Sequence, residues 1–369
     1  MIKRLLYLNG IAILSVLLFH GAGWGITAMF AWAHRYLPVA SPDYSQVGSI
    51  DYFLMRIIEQ LVVFSIPAFL FVSGYFVAFI AGQRKIKDYW NSITSRIKFL
   101  ILPYLFWSLI FIAMRSIEGR PFNLGTTVIS LLTGATTPAY YFVPLLIQYY
   151  LLSVLLVPIA RKNWKLLLLV TGIFQIGVHI LQYPIVLGMT PGLTEFYYTW
   201  FPKWFFPVRL FWFCAGLVMG FHISQFKDWV FRLRPLWIGG SAILFLIGIV
   251  EWEWLIRQAG NFGLEMQHTL VDALYAVTVI LALLSLMDKK VPFASMVSDV
   301  GVKSFGIYLV HVPAMEYFNR AVYHLAPNML AFQSVLMVLS VAVGLAGPLL
   351  LMVLVRRSSL KRLYSYIFG

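Results

Sequence analysis

The sequence predicts an all-α polytopic membrane protein with about ten transmembrane helices, both termini cytoplasmic, and one domain over residues 1–369. Three observations carry this. Of 369 residues, 61% are hydrophobic and 11% charged, and the mean hydropathy of +0.83 exceeds that of soluble domains this long. The apolar residues fall into long runs separated by short polar connections. The basic residues collect in alternate connections, as the positive-inside rule requires.

The runs lie at about 5–30, 53–81, 97–115, 138–160, 165–188, 204–223, 235–256, 268–286, 302–324 and 329–355. With the N-terminus inside, the inner segments hold Lys3 and Arg4; Arg84, Lys85, Lys87, Arg96 and Lys98; Arg161, Lys162 and Lys165; Lys227, Arg232 and Arg234; Lys289, Lys290 and Lys303; and Arg356, Arg357, Lys361 and Arg362. The outer side keeps Arg35, Arg56, Arg115, Arg120, Lys203, Arg209, Arg257 and Arg320. The net charge of +14 therefore reports topology, and no nucleic-acid partner is expected. The basic start followed by an apolar run mimics a signal peptide, but the run is too long for one and is read as a retained first helix. Trp and Tyr cluster near the run ends, as interfacial belts do. The single cysteine, Cys214, excludes an intrachain disulfide.

The first run carries His20 in its outer half, where apolar side chains are expected, and an ionisable group at such depth marks a functional site. The connection at 31–52 is either a lid or a plain connector. A second outer connection, 116–137, holds the apolar stretch Val128 to Leu132, which is too short to span and reads as re-entrant or interfacial. In the second run Arg56 and Glu59 lie one turn apart and share a face. Arg209 opens the sixth run, His268 and Asp272 the eighth, Glu251 and Glu253 close the seventh, and His311, Glu316 and Arg320 lie in the ninth. With His311 mid-run, these groups gather on the outer side, which predicts a polar cavity open to the outside. Ligand spacing for a metal is absent apart from His268 with Asp272, and no phosphate loop of the ATPase type occurs, so neither a metal site nor ATP-driven transport is expected.

Five blocks recur in a recognisable order: Leu8 to His20; Pro67-Ala68-Phe69-Leu70-Phe71-Val72-Ser73-Gly74-Tyr75; Arg96 to Lys98 leading to Leu102-Pro103-Tyr104; Tyr141 to Tyr150; and Ser304-Phe305-Gly306-Ile307-Tyr308-Leu309-Val310-His311-Val312-Pro313. Together they resemble membrane acyltransferase family 3 over nearly the whole chain. The resemblance implies a bacterial inner-membrane enzyme that takes an acyl group from cytoplasmic acyl-CoA, acetyl-CoA foremost, with no bound cofactor. The acceptor it implies is a hydroxyl or amine of a cell-surface, exported or lipid-linked saccharide. His20 is then the general base or an acyl carrier, since imidazole titrates near neutral pH. Asn9, Arg56, Glu59, Gln148, Arg209, Asp272, His311 and Glu316 are the candidate substrate-binding residues, and Arg84, Lys85, Arg96 and Lys98 a basic mouth for acyl-CoA. The family usually places Arg where this chain has Asn9, which leaves open a non-catalytic member. A transporter of a polar or glycan substrate would show the same outer cavity and interrupted helices.

Overall fold

The computed structural model describes residues 2–82, 86–119, 122–263, 269–286, 289, 291 and 293–369, with the backbone alone at residues 2, 3 and 86–88. Arg84 and Lys85 of the expected basic mouth, and His268, lie outside the described residues. Helices account for the fold, and the described residues contain no strand.

Helix α1 (Ile2–Ile26) is the axis of the molecule. Leu5, Leu8, Ala12, Ile13, Val16 and Leu17, spaced three and four apart, are buried. They face α2 (Ile50–Val62) and α3 (Ser65–Gly82) on one side and the C-terminal helices on the other. The connection after α1 is tied down: Asp43 N donates to Phe30 O at 3.0 Å, and Gln46 Nε2 to the Tyr36 hydroxyl at 2.9 Å. Gln333 also donates to Tyr36, at 3.0 Å, so this segment is a fastened connector between α1 and the last span.

The second predicted run is two helices. Pro67 lacks the N–H that would bond Val63 O, and its ring crowds that carbonyl, so the chain breaks at 63–64 and restarts with Pro67 in the first turn of α3. Helix α4 (Ile86–Ile117) is longer than its run. Helix α5 (Leu124–Thr133), capped by Asn123, buries none of its residues and exposes Val128, Ile129 and Leu132. At ten residues, about 15 Å, it lies at a surface without crossing. Gly134, at φ 76°, ends it in the left-handed region and starts the turn into α6 (Phe142–Lys162).

Helix α7 (Trp164–Val186) is followed by α8 (Pro191–Trp200) and a 3₁₀ turn, Phe206–Arg209. Helix α9 (Leu210–Phe221) packs on α3 with backbone in contact with backbone: a Cβ at Gly74 would lie 2.0 Å from Phe213 O, and one at Gly216 1.9 Å from Phe71 O. Close approach through small residues is how helices associate where lipid offers no hydrophobic drive. The chain then turns by 103° into α10 (Ile223–Arg232). Helices α11 (Arg234–Ala259) and α12 (Leu270–Ser285) pair, and α12 starts from a capping box of Thr269 and Asp272. The short α13 (Ala294–Val302) lies on α1, and α14 (Ser304–Leu325) and α15 (Gln333–Arg357) pair before the terminal α16 (Tyr364–Phe368).

Each predicted run is helical, but their lengths differ from the expectation. Among the described residues, seven spans are long and apolar enough to cross a membrane: Arg4–Ala31, Ile50–Gly82, Tyr89–Ile117, Phe142–Lys162, Trp164–Val186, Arg234–Ala259 and Gln333–Arg357. Helix α9 joins them as an eighth only together with the bent α10. Helix α12 has 16 residues, about 24 Å, and α14 interrupts its apolar face with His311, Glu316, Asn319 and Arg320.

Candidate active site

A cavity of about 150 Å³ opens where α1, the α2–α3 break, the turn before α6, α7, the segment 203–209 and α12 meet. His20 of α1 lines it, with Val16 and Phe19. Val63, Ser65, Ile66 and Pro67 are exposed to it because the break at Pro67 opens the helix there.

His311 stands behind His20, with ring centroids 5.1 Å apart. His311 is fully buried, and its Nδ1 lies 2.7 Å from Tyr308 O and 3.2 Å from Ile307 O. Carbonyls only accept, so the proton sits on Nδ1 and Nε2 is a bare acceptor. That Nε2 has no hydrogen-bond partner among the described residues. The site thus pairs a cavity-facing imidazole with a buried one whose tautomer is fixed by the backbone.

The turn before α6 is stapled to α14. Pro313 offers no N–H to Leu309 O, and the Tyr140 hydroxyl donates to that carbonyl instead, at 2.5 Å. One residue away, the Tyr308 hydroxyl donates to Ala139 O. Pro138, Ala139, Tyr141 and Tyr308 consequently form one wall.

The facing segment is held from two helices. Gln148 of α6 donates to Trp204 O at 2.8 Å and accepts from Phe206 N at 3.2 Å, and the Tyr149 hydroxyl donates to Phe206 O at 2.8 Å. Gln175 of α7 donates to Val208 O at 2.9 Å. This places Lys203 and Arg209 on the cavity. The Arg209 guanidinium donates to Lys203 O at 3.1 Å and lies 5.3 Å from the Tyr141 ring centroid.

Of the residues expected from sequence, the structure brings His20, Arg209 and Asp272 to the cavity and His311 directly behind it. Asp272 spends its oxygens inward, accepting from Gln60 at 3.2 Å, Trp252 Nε1 at 3.0 Å and Thr269 N at 3.1 Å. Gln148 acts one step away, by holding the wall. The others stand elsewhere. Arg56 and Glu59 form a buried ion pair at 2.9 Å, with Arg56 also donating to Phe262 O at 2.6 Å. Glu316 lies 3.7 Å from Arg320, which bonds Glu118 and ties α14 to the end of α4. Asn9 hooks α1 to the α13–α14 joint, donating to Gly301 O at 2.9 Å and to the Ser304 hydroxyl at 2.6 Å. Arg96 is half-buried and Lys98 exposed, both on α4, away from the cavity. Sequence reasoning missed Gln175, His179 and Lys203. The signal for the first two was a polar pair four residues apart in an otherwise apolar run.

A family model described as an acyltransferase domain matches residues 3–356. The chain belongs to membrane acyltransferase family 3. Comparison with curated proteins and with solved structures finds no match. The family's chemistry is acyl transfer, so the chain is read as a membrane acyltransferase, and its five sequence blocks can be placed. The opening block delivers His20, the last delivers Tyr308 and His311, and the block from Tyr141 delivers Gln148 and Tyr149, which pin the segment carrying Lys203 and Arg209.

Proposed function

We propose that this acyltransferase moves an acyl group from cytoplasmic acyl-CoA, acetyl-CoA foremost, to a hydroxyl or amine of a cell-surface or exported saccharide in the cytoplasmic membrane of a bacterium. Both termini are cytoplasmic in this reading, with about ten helices crossing once the short α9 and α12 and the polar-faced α14 count as spans. The observation that carries it is His20 on the cavity with the fixed imidazole of His311 5.1 Å behind. A base near neutral pKa is what an acceptor hydroxyl needs, and an imidazole can equally carry the acyl group. No metal or bound cofactor enters the reaction.

Sealed proteoliposomes given radiolabelled acetyl-CoA test this. Label leaving the thioester, by transfer or slow hydrolysis, only when donor is on the face of the termini supports the proposal. No His20-dependent loss of label from either face would sink it.

At the opposite end of α1 lies a cavity of about 860 Å³ lined by Arg4, Tyr7, Lys289, Ser295, Ser298 and Asp299, among apolar residues. It suits a polyanionic donor better than Arg96 and Lys98, which do not line it. Arg4→Ala with Lys289→Ala is expected to raise the KM for acetyl-CoA about tenfold and to flatten its salt dependence. Arg96→Ala with Lys98→Ala should change it less, and the reverse order would return the donor mouth to α4.

A further inference from the structure

We infer that the acceptor is anionic, and that Gln175, His179, Lys203 and Arg209 form its recognition wall in the cavity that holds His20; this rests on the acyl-transfer reading above.

Gln175 is nearly fully buried, and its amide nitrogen is committed, donating to Val208 O at 2.9 Å and to His179 Nε2 at 3.0 Å. An amide N–H₂ cannot accept, so His179 takes that bond on Nε2 and carries its proton on Nδ1. Gln175 Oε1 has no partner among the described residues and is itself buried, so this side chain serves the wall by holding Val208 O and His179 in place.

The charges in the same wall are cationic. Arg209 is 4% exposed, and its planar guanidinium is already oriented by Lys203 O and the Tyr141 ring. Such a fixed fork fits carboxylate or phosphate oxygens. Lys203 is exposed and forms no ion pair among the described residues. Asp272 is the one carboxylate among the described lining residues, and its oxygens are turned to Gln60, Trp252 and Thr269. A carboxylate or phosphate on the acceptor matches a wall with two cations and an inward-turned carboxylate.

The test incubates the purified protein and radiolabelled acetyl-CoA with a membrane and saccharide extract of the source cell, then runs the products on an anion exchanger at neutral pH. Fractions carrying adenine absorbance are set aside as residual donor. Fractions that co-elute with authentic acetate are set aside as hydrolysed donor, and other label retained by the column and eluted by salt supports the inference. Loss of retention after phosphatase or mild acid identifies a phosphate, and loss after carbodiimide amidation a carboxylate. Label in the flow-through overturns the inference with acyl transfer intact. No label above a His20→Ala control overturns the transfer reading beneath it. As a second measurement, Lys203→Glu is expected to raise the half-saturating amount of extract about tenfold or more, and Lys203→Arg to keep it near the parent value. Unchanged half-saturation in Lys203→Glu overturns the charge contact.

Discussion

His20→Gln is expected to fold and purify like the parent and to transfer acyl groups about 10²–10⁴-fold more slowly, the usual worth of a positioned acid–base group. Glutamine keeps polarity and approximate size but can neither titrate nor carry an acyl group. The loss should therefore fall on kcat, with the KM for acetyl-CoA near normal, because the cavity proposed for the donor lies at the other end of α1. Near-normal transfer by a well-folded His20→Gln protein would remove the residue from the chemistry. His311→Gln is expected to lose less. Its ring is sealed from the cavity and serves His20 as a neighbour, fixed through Tyr308 O at 2.7 Å. Equal losses at the two positions would mean that they act as one unit.

Glu59→Leu is expected to cost about 3–5 kcal/mol of stability, because it removes one partner of a buried ion pair. Arg56 and Glu59 have side chains 3% and 2% exposed and lie 2.9 Å apart. Arg56 also donates to Phe262 O at 2.6 Å and lies 5.3 Å from the Tyr52 ring. The double variant Arg56→Met, Glu59→Leu removes both charges and should recover most of the loss, since apolar replacements of buried pairs are often neutral. Denaturant midpoints in detergent would show this. The double variant should also retain transfer, because neither residue lines the cavity. A folded double variant without activity would return the pair to substrate binding.

The helices were legible because apolar runs of this length have few other fates, and His20 stood out because nothing polar is expected at its depth. What escaped depended on local backbone chemistry. Pro67 splits the second run, and its place after Ile66 was visible, but the run is apolar on both sides of it. The sixth run was set too long because Phe206–Arg209 is a 3₁₀ turn and α10 leaves at 103°. Arg56 and Glu59 illustrate a different limit. Their spacing places them on one face, which is equally true of a pair that binds substrate and of a pair that binds itself. Gln175 and His179 escaped because charge was weighed above neutral polarity, and α7 has no charged residue between Lys165 and its end. Asn9, in the place of the family's Arg, has its amide filled by Gly301 and Ser304, contacts that only the packing of α13 and α14 on α1 creates.

The backbone contacts made at Gly74 and Gly216 divide the site into a stiff half and a compliant half. With carbonyls of each helix pressed against the glycine of the other, α3 and α9 behave as one strut, and Pro67 and Trp212 ride on it without moving apart. The stretch ahead of Arg209, which carries Lys203, is tied instead by the side chains of Gln148, Tyr149 and Gln175, whose torsions can turn without breaking a helix. Room for a bulky guest therefore comes from the Lys203 side of the cavity, while Arg209, capping α9, and His20 on α1 keep their stations.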